Sequence, residues 1–249
     1  MIVSSLFIIN CYGAAEEIDT EFGEAPIIDG NIDDSANEWK NAYKTHINLT
    51  DLPIDLWVMQ DDKDLFISVQ VDLEEPAHNS TEFVGLLISN SSSENREDFI
   101  DAKIVQFSNI QIGDFDYLDY FINESIFFND TSYQGEGAGK LNDKISIYEF
   151  SIPIEQPLTL GYEEDALLEY DMTYAFNITY GKIPFYPDGI IKSEVVLINI
   201  FKPTVEQQLL MDIILLVLIG TVFSIVGILS VYYIYKIFKL KEKMERLRT

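Results

Sequence analysis

Apolar and polar positions alternate in short runs through most of the chain, and the alternation ends at one long apolar run near the C-terminus. In 54–72, Ile54, Leu56 and Val58 alternate with Asp55, Trp57 and Met59. A polar stretch from Gln60 to Asp64 follows, and then Leu65, Ile67, Val69 and Val71 alternate with Phe66, Ser68, Gln70 and Asp72. A period of two sends successive side chains to opposite faces, so this pattern predicts a β-hairpin with one face in a core. Further strands are predicted over 83–89, in two pieces within 102–112, and over 145–154, 175–180 and 195–201. Gly135, Gly137 and Gly139 read as a break before the 145–154 strand, and residues 89–98 as a serine-rich loop. The spacing Ser35-x-x-Glu38 is a capping-box pattern that predicts a short helical turn carrying Trp39 onto the core. Many strands with turns between them and little helix give a mostly β fold, an antiparallel sandwich.

The run 213–235 holds 23 residues without a charge. As a helix it spans roughly 34 Å, enough for the hydrocarbon core of a bilayer. A tail of residues 236–249 follows, with Lys236, Lys239, Lys241, Lys243, Arg246 and Arg248 against Glu242 and Glu245, which by the positive-inside rule stays cytoplasmic. Residues 1–212 are then outside. Thr204-x-x-Gln207 predicts a helix that starts at Val205 and continues unbroken through the membrane, leaving 203–212 as a short juxtamembrane piece. Gly220, Ser224 and Gly227 give this span a small-residue face for a second copy, a homodimer contact. At the other end, 1–15 reads as a signal peptide cleaved near Ala15, and 16–24 as an acidic tether, so the sandwich occupies 25–202.

Charge sharpens this division. The net charge is −26 overall, but residues 1–208 carry 39 acidic and 10 basic side chains, a net −29. Such a domain repels nucleic acid and anionic lipid and attracts cations. Cys11 is the one cysteine and lies in the signal segment, so stability must come from the core without disulfides. Asn-x-Ser/Thr acceptor sequons occur at Asn48, Asn79, Asn90, Asn123, Asn129 and Asn177, six of the 14 asparagines and all on the proposed outer side. Together these features read as a glycosylated surface protein, and sequon density without disulfides suggests an archaeal one.

Three segments carry a family resemblance. Ile28-Asp29-Gly30 followed by Asp33-x-x-x-x-Glu38-Trp39, the hairpin pattern Asp62-x-x-Leu65-Phe66 leading into LFISVQVD, and Glu149-Phe150-x-Ile152-Pro153 together resemble the family 9 carbohydrate-binding modules and the related DOMON-like sandwiches. The resemblance covers roughly 25–202 and implies a β-sandwich. For family 9 it implies sugar held between tryptophans and structural calcium; for some DOMON-like domains it implies haem b held by Met and His or by Met and Lys.

Candidate site residues follow from both sources. Sugar binding needs flat aromatic surface for pyranose rings with carboxamides and carboxylates nearby. Trp57 lies on the non-core side of its strand, and Tyr117, Tyr120 and Tyr133 sit in the aromatic stretch 115–133, so these four form the candidate platform for a polysaccharide or surface glycan. For calcium, Asp29, Asn31 and Asp33 alternate like ligands and Asp61, Asp62 and Asp64 crowd one turn, although Asp34 and Lys40 stand where an EF-hand needs Gly and Glu. For haem, Met59 and His78 are the alternative pair. A third alternative is an unliganded surface-layer or adhesion component. Enzyme motifs are lacking: the sequence has no phosphate loop, no G-x-S-x-G, no H-E-x-x-H and only two histidines.

Overall fold

A computed structural model of the chain describes residues 15–32, 38–50, 52–73, 81–89, 98–107, 115–130, 134–141, 144–155, 166–182, 187, 189–203 and 205–246. The first strands are β1 (Glu16–Asp19), β2 (Glu21–Phe22), β3 (Tyr43–Leu49), β4 (Leu52–Gln60), β5 (Asp64–Asp72), β6 (Phe83–Ser89) and β7 (Phe99–Phe107). They are followed by β8 (Phe115–Asn123), β9 (Ile126–Asn129), β10 (Glu136–Leu141), β11 (Ile145–Pro153), β12 (Met172–Gly181), β13 (Ile191–Lys192) and β14 (Val196–Ile200), and then by the helix α1 (Val205–Arg246).

The predicted hairpin is β4 and β5. Ile54 pairs with Val71, Leu56 with Val69 and Val58 with Ile67, and all six are buried in the main core. This hairpin centres the smaller sheet, ordered β10-β11-β5-β4-β2 with β3 also on β4. The larger sheet runs β1-β14-β12-β6-β7-β8-β9, with β13 on β12. The core lies between them, where Val84, Leu86, Ile88, Val105, Phe107, Phe176 and Ile178 meet the hairpin and Phe150. Each such side chain contributes about 1.5–3 kcal/mol by leaving water.

Three expectations are corrected. Residues 16–24 are not a tether: β1 and β2 join the two sheets, each in a parallel pairing, β1 with β14 and β2 with β4. The other pairings between these strands are antiparallel. Ile18, the apolar member of an acidic segment, is fully buried and anchors β1. The glycine segment is also not a break, since it forms β10, the end of the smaller sheet that faces β7 and β8. A side chain at Gly137 would stand 2.6 Å from both the Tyr117 ring and Val105, so only glycine lets the two sheets approach there. Trp39 is buried, but in a second cluster with Trp57, Met59 and Phe66 on the far side of the smaller sheet from the main core. Ser35 of its capping box lies outside the described residues.

The helix α1 is a separate unit and starts at Val205, as its capping pattern predicts. Within it Ile213–Ile237 has a mean hydropathy of 2.8 and is long and apolar enough to cross a membrane. Three of its hydroxyls bond within the helix: Thr221 donates to the Val217 carbonyl at 2.5 Å, Ser224 to Gly220 at 2.8 Å and Ser230 to Val226 at 2.8 Å. An apolar medium demands this of every polar group it surrounds.

Candidate functional site

A cleft of about 580 Å³ opens where β1, β3 and the β13–β14 region come together. Its polar lining comes from Glu16 on β1, His46 and Asn48 on β3, Lys192 on β13, and Ser193 and Glu194 just beyond. Strand alternation explains the arrangement: Ile47 and Leu49 turn into the core, which sends His46 and Asn48 outward. His46 faces Asp55 across the β3–β4 pair and its Nδ1 meets the carboxylate, which also holds Lys44 Nζ at 3.1 Å. Glu16 accepts from the Thr45 hydroxyl at 2.5 Å. Ser193 is fixed by an N–H of Ile178 at 3.0 Å and by its own bond to the Glu194 carbonyl at 2.6 Å. The cleft thus offers carboxylate, imidazole, carboxamide, ammonium and hydroxyl groups on a rigid frame, an array suited to a ligand rich in hydroxyls.

The four aromatic candidates do not form one platform. Trp57 is 8% exposed and packs with Trp39, Met59 and Phe66, while Lys44 Nζ lies 4.2 Å from its ring centre. It is on the non-core face, as the alternation predicts, but that face is covered. The cover comes from Ile28, Ile32, Trp39 and Ala42, and Glu149 holds the chain beside them. One oxygen of this buried carboxylate accepts the backbone N–H groups of Asp29 at 3.0 Å and Gly30 at 2.7 Å, and the other accepts the Trp39 indole N–H at 3.0 Å. Burial pushes the Glu149 carboxyl up from its ordinary range, and these three donors oppose the shift. Tyr117 faces inward and donates its hydroxyl to the Gln134 carbonyl at 2.6 Å. Tyr120, three residues on, faces the opposite side of the same strand and packs near Phe83, Leu87 and Ile104. Tyr133 lies outside the described residues.

The acidic candidates have local uses. The Asp61 carboxylate accepts the N–H groups of Lys63 and Asp64, both at 2.7 Å, and so shapes the β4–β5 turn. The Asp62 carbonyl accepts the Tyr170 hydroxyl at 2.7 Å. Burial, with Asp61 and Glu136 nearby, pushes the Asp64 carboxyl up. Asn31 accepts from Lys140 Nζ at 3.1 Å, and Asp33 lies outside the described residues. Among the described residues no three His, Cys, Asp or Glu side chains converge as metal ligands. Met59 is fully buried, with its sulfur 3.0 Å from where a side chain on Gly23 would begin. His78 lies outside the described residues.

Of the sequons, Asn48, Asn123 and Asn129 are exposed, and Asn79 and Asn90 lie outside the described residues. Asn177 is buried in β12 with its amide donating to the Ser193 carbonyl at 2.7 Å, which leaves no room for a sugar.

Two buried polar clusters escape the sequence patterns. Glu82 accepts the hydroxyls of Tyr148 at 2.5 Å and Tyr180 at 2.9 Å inside the core. Lys103 is buried between Asp101 at 3.2 Å and Asp119 at 2.5 Å, and Asp119 also accepts the Gln134 N–H at 2.9 Å. One signal was present for the second cluster: Lys103 interrupts an otherwise apolar strand, and a charge in such a place needs a buried partner.

No family model matches the chain, and no curated protein matches it. Among solved structures it is similar to a family 9 carbohydrate-binding module from Caldicellulosiruptor kristjanssonii. The cellotriose complex of that module is 14% identical, with a TM-score of 0.42 over 76% of this chain and 96% of that one. Its glucose complex is 15% identical, with a TM-score of 0.42 over 76% and 98%. A candidate carbohydrate-binding protein from Bacteroides uniformis is 7% identical, with a TM-score of 0.46 over 75% and 100%.

Proposed function

We propose that the chain is a single-pass surface protein, with residues 1–212 outside and the basic tail inside, whose sandwich binds polysaccharide or a surface glycan in the cleft beside His46. The observation that carries this reading is the lining of that cleft. Sugar hydroxyls both donate and accept, and Glu16, Glu194, Asn48, Ser193, His46 and Lys192 supply both kinds of partner within about 580 Å³. The described lining has no aromatic floor, so affinity rests on hydrogen bonding and is modest. The orientation is supported by the charge contrast between the domain and the tail and by the exposed sequons at Asn123 and Asn129. The role is binding and not catalysis.

The test is calorimetric titration of the full chain in detergent with neutral and acidic oligosaccharides. The chain is made in a host that does not glycosylate, because a glycan on Asn48 would fill the cleft. Binding that weakens tenfold or more in Lys192→Ala and Glu194→Ala supports the reading, and no heat with any saccharide overturns it. The burial of Trp57 and the opposed faces of Tyr117 and Tyr120 favour a second reading, an unliganded surface component, which predicts that null titration.

A further inference from the structure

The tip of the β8–β9 hairpin leaves apolar side chains uncovered at the edge of the larger sheet. Phe128 is 42% exposed and Ile126 is 57% exposed. β9 pairs only with β8, so among the described strands its outer edge has no partner. Exposed apolar edges of this kind promote pairing between molecules and are blunted in natural proteins. Two acceptor sequons lie on this same hairpin, Asn123-Glu124-Ser125 and Asn129-Asp130-Thr131, and each has a phenylalanine two residues before the asparagine: Phe121 and Phe127.

The register gives that spacing a physical meaning. Residues two apart on a strand share a face, about 7 Å apart. Phe121 pairs with Phe128 and Asn123 with Ile126, so Asn123, Phe121, Phe128 and Ile126 all stand on one face. The Phe121 and Phe128 rings are stacked with centroids 5.0 Å apart. Asn129 pairs with Tyr120, and Ile122 with Phe127, which puts Asn129, Phe127, Tyr120 and Ile122 on the other face. Each side of the hairpin therefore holds one exposed asparagine beside an aromatic surface.

We infer that N-linked glycans on Asn123 and Asn129 fold back onto these aromatic surfaces, one on each face, and cover the free edge of the larger sheet. This rests on the outward orientation and glycosylation proposed above, and not on binding in the cleft. In each modification Nδ2 of the asparagine bonds to the anomeric carbon of a lipid-phosphate-linked oligosaccharide. The anomeric C–O bond breaks, the lipid phosphate leaves, and the amide gives up one proton. The apolar face of the first sugar then stacks on the phenylalanine two residues back, and its hydroxyls remain in water.

The test uses the full chain, made in a host shown to glycosylate its own exported proteins at Asn-x-Ser/Thr and purified in detergent. Glycopeptide masses are expected to show sugar on Asn123 and Asn129. Asn123→Gln and, separately, Ser125→Ala should each lower Tm by about 2–4 °C and raise self-association, as should Thr131→Ala for the opposite face. In a Phe121→Ser background the Asn123→Gln step should cost no further Tm. Unmodified Asn123 and Asn129 would overturn the inference, and so would a Tm loss that is the same with and without Phe121. Saccharide titration of the chain made without glycosylation reports on the cleft separately, so failure of that reading leaves the glycopeptide result intact.

Discussion

Tyr148 and Tyr180 stand on opposite sheets and donate their hydroxyls to the two oxygens of one buried carboxylate, Glu82. Burial and that carboxylate push both phenols upward, which keeps both as protonated donors. Removing either hydroxyl takes one donor away from a buried carboxylate. Tyr148→Phe and Tyr180→Phe should each cost about 1–3 kcal/mol, read from the urea midpoint of the purified chain. Midpoints unchanged in both would show that the clamp is not a stabilising contact.

Lys103 is 2% exposed between two carboxylates that are no more exposed than it is. Its removal leaves two negative charges in a dry place. Lys103→Met should cost about 3–5 kcal/mol, and replacing Asp101 and Asp119 by leucine in the same chain should recover much of that loss. The check is a set of urea midpoints across the single and triple variants.

Glu149 and Asp64 both have carboxyls raised by burial, from ordinary values of 4.5 and 3.8. A raised acid binds its proton more tightly in the folded state, so its contribution is fully present below the ordinary value and is lost as pH rises through the raised one. Thermal scans between pH 4.5 and 8 should therefore show a component of Tm that falls as pH rises. Glu149→Gln should melt lower throughout, because its amide nitrogen replaces an acceptor, and should show a shallower fall. An unchanged slope would mean that Glu149 does not titrate in this window.

Gly30 has φ of +76°, and a side chain there would begin 2.5 Å from the Gly139 carbonyl carbon. Gly30→Ala should cost at least about 1–2 kcal/mol from backbone handedness alone and loosen the segment that covers Trp57. Both tryptophans of the chain, Trp39 and Trp57, lie under or within that cover, so emission shifted to longer wavelength would report the loosening directly.

Much of the sandwich is legible because a period of two is a strong signal over nine-residue strands. The 54–72 alternation placed Ile54 through Val71 on the core face and Trp57 on the other. What alternation does not report is whether that other face is wet. The answer lies with Glu149, 110 positions from Trp39 along the chain, and no local pattern carries such a bond. Tyr117 and Tyr120 show the reverse: a spacing of three on a strand already separates their faces. The cleft lay outside the patterns because its lining is drawn from three segments that meet only on folding. The strand β1 was hidden because one apolar residue, Ile18, is too few to show a period.

The pairing of β14 between β1 and β12 has a mechanical consequence. β14 is the strand that leads into the helix, so a pull between the domain and the helix enters through this element. It lies alongside both neighbours over most of its length, and tension along it loads the hydrogen bonds of both ladders side by side. The bonds must then yield together instead of one after another, as the teeth of an opening zip do. The parallel strand that the acidic N-terminal segment adds is thus a brace on the point where the domain bears its load.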